Sequence, residues 1–476
     1  MDPFRTFLFL ATCASAIAAA PATPSKNDAQ RRPNVVIFLT DDQGCADLGF
    51  YGNRAAKTPQ IDRFARESVE LTQFHVSPVC SPTRASLMTG RYNFRTGVSD
   101  VFGPATVMNS AEVTLAEMLR AAGYATGLFG KWHLGDDPAH GPNAQGFDDA
   151  LTFRGPTLTP SYFDPKLRHN GEEKTFKGYC MDIFTDAAIE FVRRNREKPF
   201  FLYLPTNLIH GPFVAPEDLV ASYREAGADE INAKVYGMLE SVDRNFGRLR
   251  AALQELGLEE NTLLMFLSDN GTASEAITPQ SFSIGLHGFK GTPYQNGLRV
   301  PCFARWPAGF PAPARMQRLT AHIDVLPTVL EACGVPTPGD ARLDGRSFLS
   351  LLREPAGPWP ADRTLFFQWD SGQTPRRGHA CAVVTERYKL VQPTGMDSPR
   401  QQHIRDKYAR VSADQGRGSR TIEGAPRWEL YDLQSDPGET KDRSAELPEV
   451  VARMRRHYEA WFDDVSSDWR NATAVK

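Results

Sequence analysis

The sequence predicts a large doubly wound α/β domain built on a mixed sheet flanked by helices, followed by a smaller antiparallel-sheet-plus-helix subdomain. Three observations carry this reading. Apolar runs of strand length recur through the first three hundred residues, and helical periodicity lies between them. The runs are continuous rather than alternating, as in strands buried on both faces of a helix-covered sheet. Beyond about residue 360 the pattern changes to short strands at hairpin-like spacing with one terminal amphipathic stretch.

The elements follow in order. Arg5 precedes the apolar run Phe7 to Ala20, FLFLATCASAIAAA, which ends in small residues. That is the layout of a secretory signal peptide over 1–20, too short for a membrane span, and it implies an exported, periplasmic or secreted protein. Strands are expected at Asn34 to Thr40 (NVVIFLT), Ala125 to Gly130 (ATGLFG), Pro199 to Leu204 (PFFLYL) and Thr262 to Leu267 (TLLMFL). Thr114 and Glu117 form a capping box that opens a helix ending at Gly123. A single apolar stripe from Val235 to Leu256 marks a long helix over Ala233 to Leu256, closed by Gly257. The catalytic α/β domain is placed at 33–335 and the C-terminal subdomain at 360–465, divided by the Pro- and Gly-rich stretch around Val335 to Gly339. In the subdomain, strands are read at Thr364 to Trp369, Ala380 to Thr385, Arg387 to Val391 and Trp428 to Leu433, with a helix over Leu447 to Phe462. Between them, Asp397 to Gly424 reads as an irregular loop near the pocket.

Composition narrows the function. The 476 residues carry 54 Lys plus Arg against 57 Asp plus Glu, with 41% apolar and 23% charged residues. A net charge of −3 leaves no basic field to wrap nucleic acid, so any anionic partner is met locally. Six cysteines outside the leader, at 45, 80, 180, 302, 333 and 381, match neither a zinc ribbon nor a compact disulfide framework.

In open α/β sheets, ligands bind beyond the carboxyl ends of the strands. All four predicted strands leave functional side chains there: Asp41 and Asp42, Lys131 and His133, Asn207 and His210, Asp269 and Asn270. Asp41, Asp42, Asp269 and the Asn270 carbonyl are hard oxygen donors, the set that favours calcium, magnesium or manganese over zinc or copper. The sequon Asn270-Gly271-Thr272 competes with this reading, and the metal role is preferred. Taken bare, Cys80 ahead of Pro82 and Arg84 is either an ordinary buried thiol or a thiolate stabilised by Arg84 and a helix N-terminus. The segment Phe153 to Lys177, rich in Pro, Gly and charge, is a candidate pocket wall with Arg168 and His169 as contacts.

Cys80-Ser81-Pro82-Thr83-Arg84, continued by Leu87, Thr89 and Gly90, resembles the C-x-P-x-R-x-x-L-x-T-G signature of the type I, arylsulfatase-like sulfatases of the alkaline phosphatase superfamily. The second signature of that family is similar to Gly123-Tyr124 running through Gly130-Lys131-Trp132-His133-Leu134-Gly135. Gly288-Phe289-Lys290-Gly291, followed by Gly297-Leu298-Arg299-Val300-Pro301, resembles a third family segment. The resemblance extends from Asn34 to about Phe462.

It implies a hydrolase of sulfate esters, of a sulfated carbohydrate before a small aryl sulfate. Cys80 is then the precursor of Cα-formylglycine, made by a separate maturation enzyme that reads Pro82 and Arg84. The aldehyde hydrate supplies the nucleophile and touches a divalent cation, calcium before magnesium, held with Asp41, Asp42, Asp269 and Asn270. Arg84 holds the hydrate, Lys131 and Lys290 meet the sulfuryl oxygens, His210 protonates the leaving group, and His133 serves as the base that releases sulfate. His287 either lines the substrate side of the pocket or caps a loop. Two other readings stay open: a phosphate or phosphonate monoester hydrolase of the same superfamily, and a non-catalytic protein that binds sulfated glycans.

Overall fold

The computed structural model describes residues 32–474 except 159, 340, 370–373, 394–409 and 411–426. The leader over 1–20 and all of 397–424 but Arg410 lie outside the described residues.

Among the described residues there are sixteen strands: β1 (Asn34–Thr40), β2 (Val69–Leu71), β3 (Phe74–His75), β4 (Ala125–Phe129), β5 (Asp149–Thr152), β6 (Lys166–His169), β7 (Glu172–Thr175), β8 (Phe200–Pro205), β9 (Thr262–Ser268), β10 (Cys302–Arg305), β11 (Ala314–Met316), β12 (Thr320–Ala321), β13 (Leu365–Gln368), β14 (Cys381–Val384), β15 (Tyr388–Gln392) and β16 (Glu429–Asp432). Ten of them form one mixed sheet in the order β11-β2-β10-β9-β1-β8-β4-β5-β6-β7. Its centre, β9-β1-β8-β4-β5, is wholly parallel. Antiparallel strands extend it on both sides, β10 against β9 and β6 against β5.

The period of two along a strand explains why the predicted runs are apolar at every position. In β1, Val36 and Phe38 enter the core on one face, whereas Val35, Ile37 and Leu39 enter the core on the other. β9 divides the same way, Leu264 and Phe266 against Leu263, Met265 and Leu267. Each such side chain, fully buried, contributes about 1.5–3 kcal/mol, so the central strands are fixed in register on both faces.

The capping box at Thr114 and Glu117 is present, opening the helix Leu115–Ala121. The long helix spans Glu230–Glu255, starting three residues before the predicted Ala233, because Asp229 caps it by accepting from the Asn232 amide. The segment read as a loop over 153–177 contains the β6–β7 hairpin at the sheet edge, a correction to that expectation.

β13-β14-β15-β16 form the expected small antiparallel sheet. The helix packed on it, Pro448–Ala474, runs twelve residues past the predicted end. Arg95, itself buried, holds this helix by donating to Asp464 and Asp468 while its Nε bonds Asp344. The six cysteines at 45, 80, 180, 302, 333 and 381 are all buried, and no disulfide joins them. Among the described residues, no helix is long and apolar enough to cross a membrane.

Candidate active site

The parallel centre aims four strand ends at one point. β1 runs into Asp41 and Asp42, β9 into Asp269 and Asn270, β4 into Lys131 and His133, and β8 into Asn207 and His210. Glycine makes two of these exits possible. A Cβ on Gly130, at φ 136°, would lie 2.1 Å from the Pro205 carbonyl, to which the Lys131 amide donates at 2.6 Å. A Cβ on Gly271 would lie 1.6 Å from the Asn296 carbonyl. Asp42 and His133 are held in the left-handed region, at φ 62° and 60°, a strained backbone that sites impose where side-chain direction matters.

Cys80 opens the helix Cys80–Thr89, every residue of which is buried. One turn on, Arg84 donates from Nε and Nη2 to Asp269 Oδ2 at 3.0 and 2.8 Å, and from Nη1 to the Lys131 carbonyl at 2.6 Å. Lys131 Nζ lies 2.6 Å from Asp41 Oδ2, and Lys290 Nζ 2.6 Å from Asp42 Oδ1. Asn270 Nδ2 donates to Asp42 Oδ1 at 2.9 Å, and the Asp42 amide donates to Asp269 Oδ1 at 3.2 Å. His210 Nε2 stands 3.9 Å from Asp42 Oδ2. Catalytic, metal and sulfate-binding candidates thus form one connected cluster.

Its electrostatics are set by burial and by three cations. Burial alone would raise Asp41, but Lys131, His210, Arg84 and Lys290 hold its carboxyl well below the usual range. Asp269 is pushed up by burial and by the charge of Asp41, against Arg84. Burial would lower Lys290, yet Asp42 and the other negative neighbours hold it above an ordinary lysine, so it remains an ammonium. Burial raises the Cys80 thiol more than Lys131 and Lys290 lower it. Desolvation thus favours the neutral thiol over the thiolate reading of Cys80.

The same cluster suits a hard cation. Asp41, Cys80 and Asp269 each place one ligand atom within 4.8 Å of the others. Among the described residues, Asp41 Oδ1 and Asn270 Oδ1 are buried without a hydrogen-bond partner, an arrangement that leaves two oxygens to coordinate. Asn270 is fully buried, so the sequon offers no exposed asparagine.

Beyond the cluster lies an open cavity of about 760 Å³ reached by Asp42, Cys80, His210 and Lys290. Its outer walls are Val101, Phe102, Pro156, Pro212, Phe213 and Trp369, with Ser274 and Glu275 on one side. Pro156 and Thr157 bring the first part of the 153–177 segment to the wall as expected. Arg168 and His169 do not line it. Arg168 donates to the Asp136 carbonyl at 2.6 Å and His169 pairs with Asp149 at 2.8 Å, both on the edge hairpin. His287 is fully buried with its ring centred 3.9 Å from that of Tyr294, and it does not line the cavity either. Arg410 reaches the rim, donating to the Ser274 carbonyl at 3.3 Å. Sequence reasoning missed the walls Val101, Phe102 and Trp369, which carry no local signature.

A model of the sulfatase family matches residues 33–335. The chain belongs to the sulfatase family. Members of that family hydrolyse sulfate esters, and this chain is an enzyme of that class. A second model, N-sulphoglucosamine sulphohydrolase, C-terminal, matches residues 285–398. The chain is 32% identical to steryl-sulfatase of Mus musculus over 74% of its own length and 70% of the relative's. It is 31% identical to arylsulfatase A of Homo sapiens over 90% and 87%. Among solved structures, Ps i-CgsB superposes with a TM-score of 0.77 at 26% identity, covering 93% of this chain and 98% of that one, and it has also been solved in complex with k-i-k-neocarrahexaose.

Proposed function

We propose that this sulfatase cleaves the sulfate ester of a carbohydrate alcohol through a formylglycine made from Cys80, with one calcium ion, or magnesium in its place, held by Asp41, Asp42, Asp269 and Asn270. When present, the cation neutralises the clustered carboxylates and polarises a sulfuryl oxygen, and the aldehyde hydrate supplies the attacking oxygen. The protein supplies the rest. The ammonium groups of Lys131 and Lys290, fixed by the Asp41 and Asp42 carboxylates in a nearly dry site, meet the sulfuryl oxygens as preorganised positive charge. Arg84 anchors Asp269 to the helix that starts at Cys80, so that metal ligand and nucleophile keep one geometry.

His210 donates Nδ1–H to the Gly211 carbonyl at 2.6 Å, which leaves Nε2 as the nitrogen that takes up and delivers the leaving-group proton. His133 donates Nε2–H to the Val101 carbonyl at 3.1 Å, and its Nδ1 is the nitrogen left to act as base. The leaving alcohol lies against Phe102, Phe213 and Trp369, whose rings suit the C–H face of a sugar, with Glu275 within the same wall to accept from hydroxyls. The observation that carries the reading is the Asp41, Cys80, Asp269 cluster together with Asp41 Oδ1 and Asn270 Oδ1, which have no hydrogen-bond partner among the described residues. We further propose export by the leader over 1–20 and assignment of 33–335 and 360–465 as catalytic domain and C-terminal subdomain. His287 is proposed as a supporting residue behind the Lys290 loop.

The test is the mass of the tryptic fragment Glu67 to Arg84 from protein made in a host with active maturation. An aldehyde in place of the Cys80 thiol supports the reading. An unmodified thiol, with a control sulfatase converted in the same cells, refutes it and favours a non-catalytic binding role. Turnover of sulfate but not phosphate or phosphonate esters separates the sulfatase from the superfamily alternative. The apolar walls also favour a second substrate, the sulfate of an apolar alcohol, and a carbohydrate and a steryl sulfate compared at equal concentration decide between them.

A further inference from the structure

His133 sits on the strained backbone described above, and its carbonyl accepts from Ser81 Oγ at 2.9 Å. Its ring meets the Val101 carbonyl, which can only accept, so Nε2 carries hydrogen. Nδ1 is buried and has no hydrogen-bond partner among the described residues. The other tautomer would place Nε2 lone pair against carbonyl lone pair. Which ring nitrogen His133 leaves free as a base therefore depends on where the Val101 carbonyl points.

Val101 is itself held, through the peptide N–H on the other side of its Cα. Asp100 Oδ1 accepts from the Val101 amide at 2.7 Å and from Trp369 Nε1 at 3.0 Å. Asp100 and Trp369 are both buried, 4% and 5% exposed, and Trp369 packs with Val79, Cys80 and Val101 in a small cluster of its own. One indole from the end of β13, in the C-terminal sheet, thus reaches the β4 exit through a single carboxylate oxygen and the backbone of Val101.

We propose that Trp369 and Asp100 are positioning residues that hold the Val101 carbonyl against His133 and so fix the imidazole as its Nε2–H tautomer. The inference rests on His133 acting at the reaction centre as proposed above. Trp369 has two surfaces in this arrangement, a ring face that forms cavity wall and an N–H that acts through Asp100. Losing one hydrogen bond to the ring costs about fivefold in tautomer population. Loss of a supporting hydrogen bond behind a working histidine costs on the order of tenfold in rate.

The test uses full-length protein labelled with [15N]histidine, in which long-range 1H–15N correlations identify the tautomer of His133, its signal assigned by loss in His133→Gln. Trp369→Phe keeps a ring on the wall and removes the N–H. Asp100→Leu removes the shared acceptor, and Asp100→Asn keeps an oxygen in its place. The expected result is a single Nε2–H form in wild type and Asp100→Asn, a mixture in Trp369→Phe and Asp100→Leu, and kcat lowered about tenfold in those two. If both keep the Nε2–H form with unchanged kcat, or if Trp369→Phe raises KM alone, the proposal is overturned. Should Asp100→Leu not fold, Trp369→Phe against wild type decides. Inactive wild-type protein would count against the formylglycine reading and not against this one, because the tautomer is read without turnover.

Discussion

Asp269→Asn tests the cation site most directly. Asp269 Oδ2 takes two guanidinium bonds from Arg84 while Oδ1 takes the Asp42 amide, so either orientation of an asparagine amide sets its NH2 against an existing donor. The substitution also removes the charge that faces a fully buried Arg84, for which about 3–5 kcal/mol of stability is the expected loss. That loss alone does not report metal binding, and the calcium-dependent increment does. At a free calcium concentration 1,000 times Kd, binding to the native state adds about 4.1 kcal/mol. With an unfolding entropy of about 2.1 cal/mol/K per residue over 476 residues, close to 1 kcal/mol/K in total, calcium raises Tm by about 4 °C in wild type. The assay is differential scanning calorimetry with and without calcium on wild type, Asp269→Asn and Asp47→Asn. The last is a control, a buried carboxylate bonded to Gly44 and Thr272 and outside the proposed ligand set. Asp269→Asn should lose the increment and Asp47→Asn should keep it. An Asp269→Asn protein that still gains about 4 °C from calcium would show that the cation, if any, binds elsewhere.

Three further outcomes follow from the same geometry. Lys290→Met removes the ammonium paired with Asp42 and should lower kcat/KM for an aryl sulfate about 10²- to 10³-fold, whereas Arg168→Ala, bonded away from the cavity, should stay within about twofold; steady-state kinetics on both variants checks the contrast. His210 must be protonated to deliver a proton, and burial followed by Lys290 holds it below the ordinary histidine value, so kcat/KM should rise as pH falls below 6.5; a limb that instead rises toward alkaline pH would remove His210 as the acid. Burial pushes Asp47 up to about 7, so the folded state holds a proton that the unfolded chain has released between about pH 4 and 7, and stability falls as pH rises across that window. Asp47→Asn escapes the penalty, on the order of 4 kcal/mol at pH 8 and smaller at pH 5, and equal urea-denaturation increments at the two pH values would contradict this.

The site's charges explain one another. Three buried carboxylates and three buried or nearly buried cations come from five different segments, and each ion pair joins two of them: Lys131 to Asp41 couples β4 to β1, Arg84 to Asp269 couples the Cys80 helix to β9, and Lys290 to Asp42 couples the 288–301 segment to β1. Removing any one partner leaves a charge in the dry interior. The pairing therefore fixes relative strand position as well as chemistry.

How much of this the sequence discloses depends on the range over which each feature is specified. β1, β4, β8 and β9 are legible because burial on both faces requires apolar residues at every position, and the polar residue that ends each run lies at the sheet edge where ligands bind. The candidate residues of the cluster are legible for the same reason, each lying within a few residues of its strand end or in a short motif. The β6–β7 hairpin is not, since Glu172–Thr175 is exposed at all four positions and offers no alternation to detect. β2, β10 and β11 are three or four residues long, and their partners are chosen by the sheet rather than by local pattern. Arg168 and His169 show the opposite error, since their charge in an irregular segment points to a pocket while local carbonyl and carboxylate partners already satisfy them. Trp369 meets Asp100 across 269 residues of chain, and a tryptophan at a strand end reads as core wherever it falls. Only the fold assigns it a cavity on one side and a carboxylate on the other, so the residues that shape a leaving-group site and orient its base are the ones that sequence pattern alone leaves silent.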